Sequence, residues 1–142
     1  MIIPDVNVLV HAYNSAVPIH TRARLWWEES LNTPTEIGLP WASALGFIRI
    51  TTHPRFGLNP LPVAVATGHV RGWLARPRVR ILTPGDRHAE LLLHLLETVG
   101  AGGNLTTDAH LAALAMEYQA ELVSTDTDFA RFPGLRWRNL RN

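Results

Sequence analysis

The sequence predicts an α/β fold with a largely parallel sheet, and two observations carry that expectation. Short apolar runs alternate along the chain with longer stretches of helical periodicity, the pattern of parallel strands joined by crossover helices. Two of those runs end in aspartate: "MIIP" runs into Asp5, and "ELVST" into Asp126. A parallel sheet keeps its functional groups just beyond the carboxyl ends of its strands, so these acids stand where chemistry is expected.

Residues 1 to 4 read as a short buried strand, continued by "VNVLVHAY" (6–13) as a helix. "IHTRARLWWEESLN" (19–32) has helical spacing that sets Leu25, Trp26 and Leu31 on one side and leaves Arg24, Glu28 and Glu29 to water. "EIGLP" (36–40) is a strand, and "WASALGFIRITTH" (41–53) a helix stopped by Pro54. The turn-rich "RFGLNPLP" (55–62) is a loop. "VAVATGHVRGWLAR" (63–76) is helical, with Val63, Ala66, Val70 and Leu74 on one stripe, and "RVRILTP" (78–84) is a strand. "DRHAELLLHLLETV" (86–99) is an amphipathic helix with Asp86 as its N-cap, broken by "GAGGN" (100–104). "TTDAHLAALAMEYQA" (106–120) is the last helix, "ELVST" (121–125) a strand, and "FPGLRWRNL" (132–140) holds a final short strand. No repeat, low-complexity tract or linker interrupts residues 1–142, which read as a single domain.

Composition narrows the chemistry. With no cysteine there is no disulfide, thiol nucleophile or thiolate metal site. All thirteen basic residues are arginine, which removes P-loop and Schiff-base mechanisms that need a lysine. Arginine forks suit phosphate, although a net charge of +1 marks no general polyanion binder. No apolar run approaches a membrane span and no signal peptide is visible, so a cytoplasmic location is expected. A Ser/His/Asp triad lacks its G-x-S-x-G elbow, and the seven histidines include no HExxH pair.

Four of the five aspartates, Asp5, Asp108, Asp126 and Asp128, fall at strand ends or helix starts. Helix capping alone explains any one of them. However, Thr106, Thr107, Ser124 and Thr125 stand beside them and cap without bringing a charge. Several carboxylates at the carboxyl edge of one small sheet repel each other, raising pKa values or calling for a cation. Hard divalent ions such as Mg²⁺ or Mn²⁺ take oxygen ligands and keep open water positions, which suits phosphodiester hydrolysis.

With these motifs in place the chain resembles the PIN-domain ribonucleases, and among them the VapC-type toxins of bacterial toxin–antitoxin pairs. The resemblance runs over "PDVNVLVHAY" (4–13), "PWASALGFIRITTHPRF" (40–56) and "NLTTDAHLAALAMEYQAELVSTDTDFARFPGLRW" (104–137). It implies a three-layer α/β/α sandwich and a Mg²⁺- or Mn²⁺-dependent endoribonuclease. Asp5, Asp108 and Asp126 become the catalytic, metal-holding acids, Asp128 a further metal carboxylate, and Asn7 the residue orienting the first acid. Implied partners are an RNA substrate, a VapB-like cognate antitoxin and a second copy in a homodimer. Arg49, which follows the middle motif on its helix, is a candidate phosphate contact. The chain departs from many relatives at Gly46, where they carry a glutamate before the "F-x-R" stretch. Ser43, one helical turn earlier, offers a hydroxyl but no charge. That departure favours an alternative reading, a PIN-fold module that binds RNA or antitoxin with weakened catalysis.

The remaining residues have simpler roles. Core packing accounts for most of Trp26, Trp27, Trp41, Trp73 and Trp137, with one of the adjacent Trp26 and Trp27 left for a surface. His110 lies on the far side of its helix from Asp108 and is read as structural. Arg76, Arg78 and Arg80 alternate along a solvated strand face.

Overall fold

In the computed structural model, which describes residues 1–57 and 59–142, one sheet is built from five short strands: β1 (Ile2–Pro4), β2 (Ile37–Pro40), β3 (Val79–Leu82), β4 (Glu121–Ser124) and β5 (Trp137–Asn139). Their order is β3-β2-β1-β4-β5 and every neighbouring pair is parallel. The connections are α1 (Val6–Ala12), α2 (His20–Asn32), α3 (Trp41–Thr51), α4 (Val63–Leu74), α5 (His88–Val99) and α6 (Leu105–Glu117), with a short 3-10 turn at Thr127–Arg131. Residue 58, inside the loop expected at 55–62, lies outside the described residues.

Strand pleating sends successive side chains to opposite faces, and the two faces bury separate clusters. Ile37, Leu39, Val79 and Val123 pack with Val8, Leu9, Trp27, Phe47, Val70 and Trp73 from α1 to α4. Ile3, Leu82 and Leu122 pack on the other face with Leu95, Leu111 and Leu114 from α5 and α6, and with Phe129. Helices on both faces make the expected three-layer α/β/α sandwich, and double burial is why the strands read as continuous apolar runs. The chain winds outward from β1 to β2 and β3, then returns through α5 and α6 to β4 on the other side of β1. The winding therefore reverses between β1 and β4, and a crevice opens at their carboxyl ends.

Three local expectations are corrected. Helix α2 turns a different face inward: Ala23, Trp27 and Ser30 are buried, Leu25 is 52% exposed, and Trp26 and Leu31 sit at the margin of the core. Trp27 decides the rotation, because its ring meets Trp73 edge-on at 5.2 Å, and Trp73 in turn packs on Phe47 at 4.8 Å. On α4, Trp73 joins Ala66 and Val70 in the core while Val63 is exposed. Helix α5 starts at His88 and Asp86 does not cap it. Instead Glu117, from the end of α6, accepts the Gly85 and Arg87 amides at 2.8 and 3.0 Å. A carboxylate some thirty positions away takes the place of a local N-cap.

Gly46 marks a close approach of α3 to α1. A Cβ at this position would lie 2.7 Å from Val6 Cγ2 and 3.0 Å from Val6 Cγ1. Ser43, on the same helix, donates to the Pro4 carbonyl at 2.7 Å and so pins α3 to the end of β1.

Candidate active site

Asp5 follows β1 directly and caps α1, its Oδ1 accepting the Val6 amide at 2.7 Å. Its own amide donates to the Val123 carbonyl at 2.9 Å, which fixes it against β4. From the end of β4, the buried Ser124 hydroxyl donates to Asp5 Oδ2 at 2.7 Å. Ser124 Oγ in turn accepts the Asp126 amide at 2.9 Å and Asn7 Nδ2 at 3.2 Å. Asn7 Oδ1 accepts the Thr125 amide at 3.2 Å. Asn7 thus orients Asp5 indirectly, through Ser124.

Asp126 continues the chain out of β4 and caps the 3-10 turn, its Oδ1 accepting the Asp128 amide at 2.9 Å. Asp108 arrives from the first turn of α6. Asp108, Asp126 and Asp128 can each bring one carboxylate oxygen within 4.8 Å of the others. Asp5 is outside that distance for at least one of them, yet near enough for its charge to act on Asp108.

The electrostatics match this crowding. Burial, then the charges of Asp5, Asp126 and Asp128, push the Asp108 carboxyl up to about 6. Burial also raises Asp5, which is only 6% exposed, against the opposing hydrogen bonds from Ser124 and Val6. Among the described residues no arginine pairs with any of the four acids. Three carboxylates that converge without a counter-charge, one of them with its pKa raised to about 6, form an oxygen donor set suited to a hard divalent cation.

Of the four predicted acids, Asp108, Asp126 and Asp128 converge at the switch point, while Asp5, expected among the metal ligands, stands beside them outside that group, because its carboxylate is turned to Val6 and Ser124. Ser43 lies behind Asp5 as a support, its hydroxyl proton spent on the Pro4 carbonyl. Arg49 is exposed on the second half of α3 and pairs with none of the four acids. His110 bonds His88 at 2.9 Å, in keeping with a structural role. Ser124 is the residue that sequence reasoning passed over as a mere alternative cap. Its signal was a hydroxyl closing an apolar strand, since a fully buried hydroxyl needs a partner.

Comparison with known proteins identifies the family of this fold. The PIN domain model matches residues 2–135. The chain is 48% identical over 137 residues to Ribonuclease VapC33 of Mycobacterium tuberculosis, covering 96% of both chains. It is 42% identical over 137 residues to Ribonuclease VapC37 of the same species, covering 96% of this chain and 95% of the relative. Among solved structures, VapBC2 from Rickettsia felis bound to a promoter DNA fragment superposes with a TM-score of 0.69 at 18% identity, over 98% of each chain. The Sarcin-Ricin loop cleaving toxin VapC20 of Mycobacterium tuberculosis gives a TM-score of 0.69 at 15% identity, over 95% of this chain and 96% of the other.

Proposed function

The chain belongs to the PIN-domain family, and on that premise we propose that it is the endoribonuclease toxin of a toxin–antitoxin pair, dependent on Mg²⁺ or Mn²⁺. The convergence of Asp108, Asp126 and Asp128 beside Asp5 at the switch point carries this reading. The relatives named as ribonucleases support its substrate class. Asp108, Asp126 and Asp128 would hold the cation, which when bound supplies charge neutralisation for the scissile phosphate and its leaving oxygen. Asp5 completes the negative face of the pocket, held in orientation by Val6, Ser124 and, through Ser124, Asn7. Hydrolysis adds water across a backbone phosphodiester and leaves a 5′-phosphate and a 3′-hydroxyl.

The partners follow the same reading: a VapB-like antitoxin that covers the acidic pocket, and a second copy in a homodimer; the structural relatives include VapBC complexes. No helix among the described residues is long and apolar enough to cross a membrane, and the cytoplasm, where RNA is met, is the proposed location.

Gly46 does not favour a non-catalytic module. The glycine is accounted for by the approach of α3 to Val6, where a side chain has no room. The assay is direct. Purified protein free of antitoxin is incubated with total RNA in Mg²⁺, Mn²⁺ or EDTA, beside Asp5→Asn and Asp108→Asn. Cation-dependent cleavage lost in both variants is expected; intact RNA under every condition would refute the proposal.

A further inference from the structure

The cations of this chain are unevenly used. Among the described residues the ion pairs join Arg24 to Glu28 and Arg138 to Glu121. At the far end of α3 lies a groove of about 210 Å³ lined by Arg49, Ile50, His53, Arg55, Phe56 and Gly57. Among the described residues its lining contains no acid, and Arg49, His53 and Arg55 are all exposed. Neither guanidinium belongs to an ion pair, so two planar forks of N–H donors face solvent unpaired. The Arg55 amide donates to His53 Nδ1 at 3.1 Å, which leaves the proton of a neutral imidazole on Nε2 as a further donor. Phe56 packs partly against the aromatic core and offers an aromatic surface beside these donors. In a protein whose net charge is only +1, this is a concentrated anion-seeking patch.

Its place relative to the carboxylates gives it a purpose. Helix α3 starts at the carboxyl edge of the sheet, where Ser43 bonds the carbonyl just before Asp5. Arg49 stands about 9 Å further along the helix axis, from six steps of 1.5 Å. Trp41 and Leu45, 50% and 57% exposed, share its solvent stripe at successive turns, so an open face of α3 runs from its start at the carboxyl edge to the groove. Unpaired arginine forks take non-bridging phosphate oxygens, and an aromatic ring beside them takes an unstacked base. An acidic polypeptide would use the forks and leave the ring idle.

We propose that the groove at the end of α3 is an RNA subsite, in which Arg49 and Arg55 hold a backbone phosphate a few nucleotides from the scissile bond and Phe56 stacks a neighbouring base. The inference rests on the endoribonuclease reading for its ligand, so its test separates binding from cleavage. Binding of a labelled single-stranded oligonucleotide is measured in EDTA, where nothing is cut, for wild type, Arg49→Ala/Arg55→Ala and Arg78→Ala/Arg136→Ala. The last pair removes the same charge from exposed positions at the amino edge of the sheet. The groove variant should bind at least about tenfold more weakly at low salt, with the log–log salt slope reduced by about 0.7 for each phosphate no longer neutralised. The amino-edge variant should stay near wild type. With cation restored, KM for the long RNA should rise at unchanged kcat, while cleavage of a dinucleotide should not change. Wild-type affinity and slope in the groove variant, or an equal loss in the amino-edge pair, would overturn the subsite. Displacement of RNA by poly-glutamate, with the same dependence on Arg49 and Arg55, would assign the groove to an acidic polypeptide instead. Absence of cleavage in any RNA would sink the catalytic reading while leaving the binding result to stand on its own.

Discussion

Ser124 bears no charge, yet its oxygen joins Asp5, Asp126 and Asn7 into one frame. Removing it strips a donor from a carboxylate that burial already disfavours, and frees the Asp126 amide. Ser124→Ala is therefore expected to lower kcat by about 10- to 100-fold, the usual effect of losing a residue that orients metal ligands, with KM for RNA little changed. An unchanged kcat would show that the acids hold themselves in place. At this scale the sequence disclosed the acids and hid their support. Asp5, Asp108, Asp126 and Asp128 were visible because like charges at strand ends are costly without a purpose. A serine is common at any strand end, and only the fold shows that its hydroxyl meets Asp5 from 119 positions away.

Among the elements, α3 and α5 carry the clearest tests. Gly46→Glu pushes a side chain into Val6 between α3 and α1, and should cost about 1–3 kcal/mol by overpacking. It should not raise cleavage, so a more active or equally stable variant in denaturant titration would show that the helices can part. Glu117→Ala removes the carboxylate that accepts the amides leading into α5 and should cost about 1 kcal/mol, as a lost N-cap does. Asp86→Ala should be nearly silent in the same titration. The reverse ranking would restore Asp86 as the cap. Element types and approximate bounds were legible because period-2 and period-3.6 patterns survive in the apolar residues. The inward face of α2 was not: Leu25, Trp26 and Trp27 are all apolar, and the choice among them is made by Trp73 and Phe47 on other elements.

For the whole molecule, alternation of strand and helix foretold a parallel sheet, whereas the order β3-β2-β1-β4-β5 is set by which face each helix covers and leaves no local trace. That order brings the carboxyl ends of β1 and β4 together and concentrates negative charge there, with consequences for stability. Asp108 is shifted upward on folding, so the folded state binds more protons than the unfolded chain between about pH 4 and 6. The corresponding stability is full below about pH 4 and is lost as pH rises through about 6. In EDTA at pH 7.5, Asp108→Asn should accordingly melt above wild type, by on the order of 1 kcal/mol after allowing for solvent screening at a partly open site. The two should converge near pH 3, and a variant less stable than wild type at pH 7.5 would contradict the strain assigned to this cluster. The central claim is that these carboxylates form a divalent-cation site, and calorimetric titration of Mn²⁺ into wild type and Asp108→Asn tests it most directly. A saturable site in wild type is expected, with proton release near pH 6 that fades by pH 8, and with affinity reduced at least about tenfold in the variant. No saturable binding, or equal binding by both proteins without proton release, would contradict it.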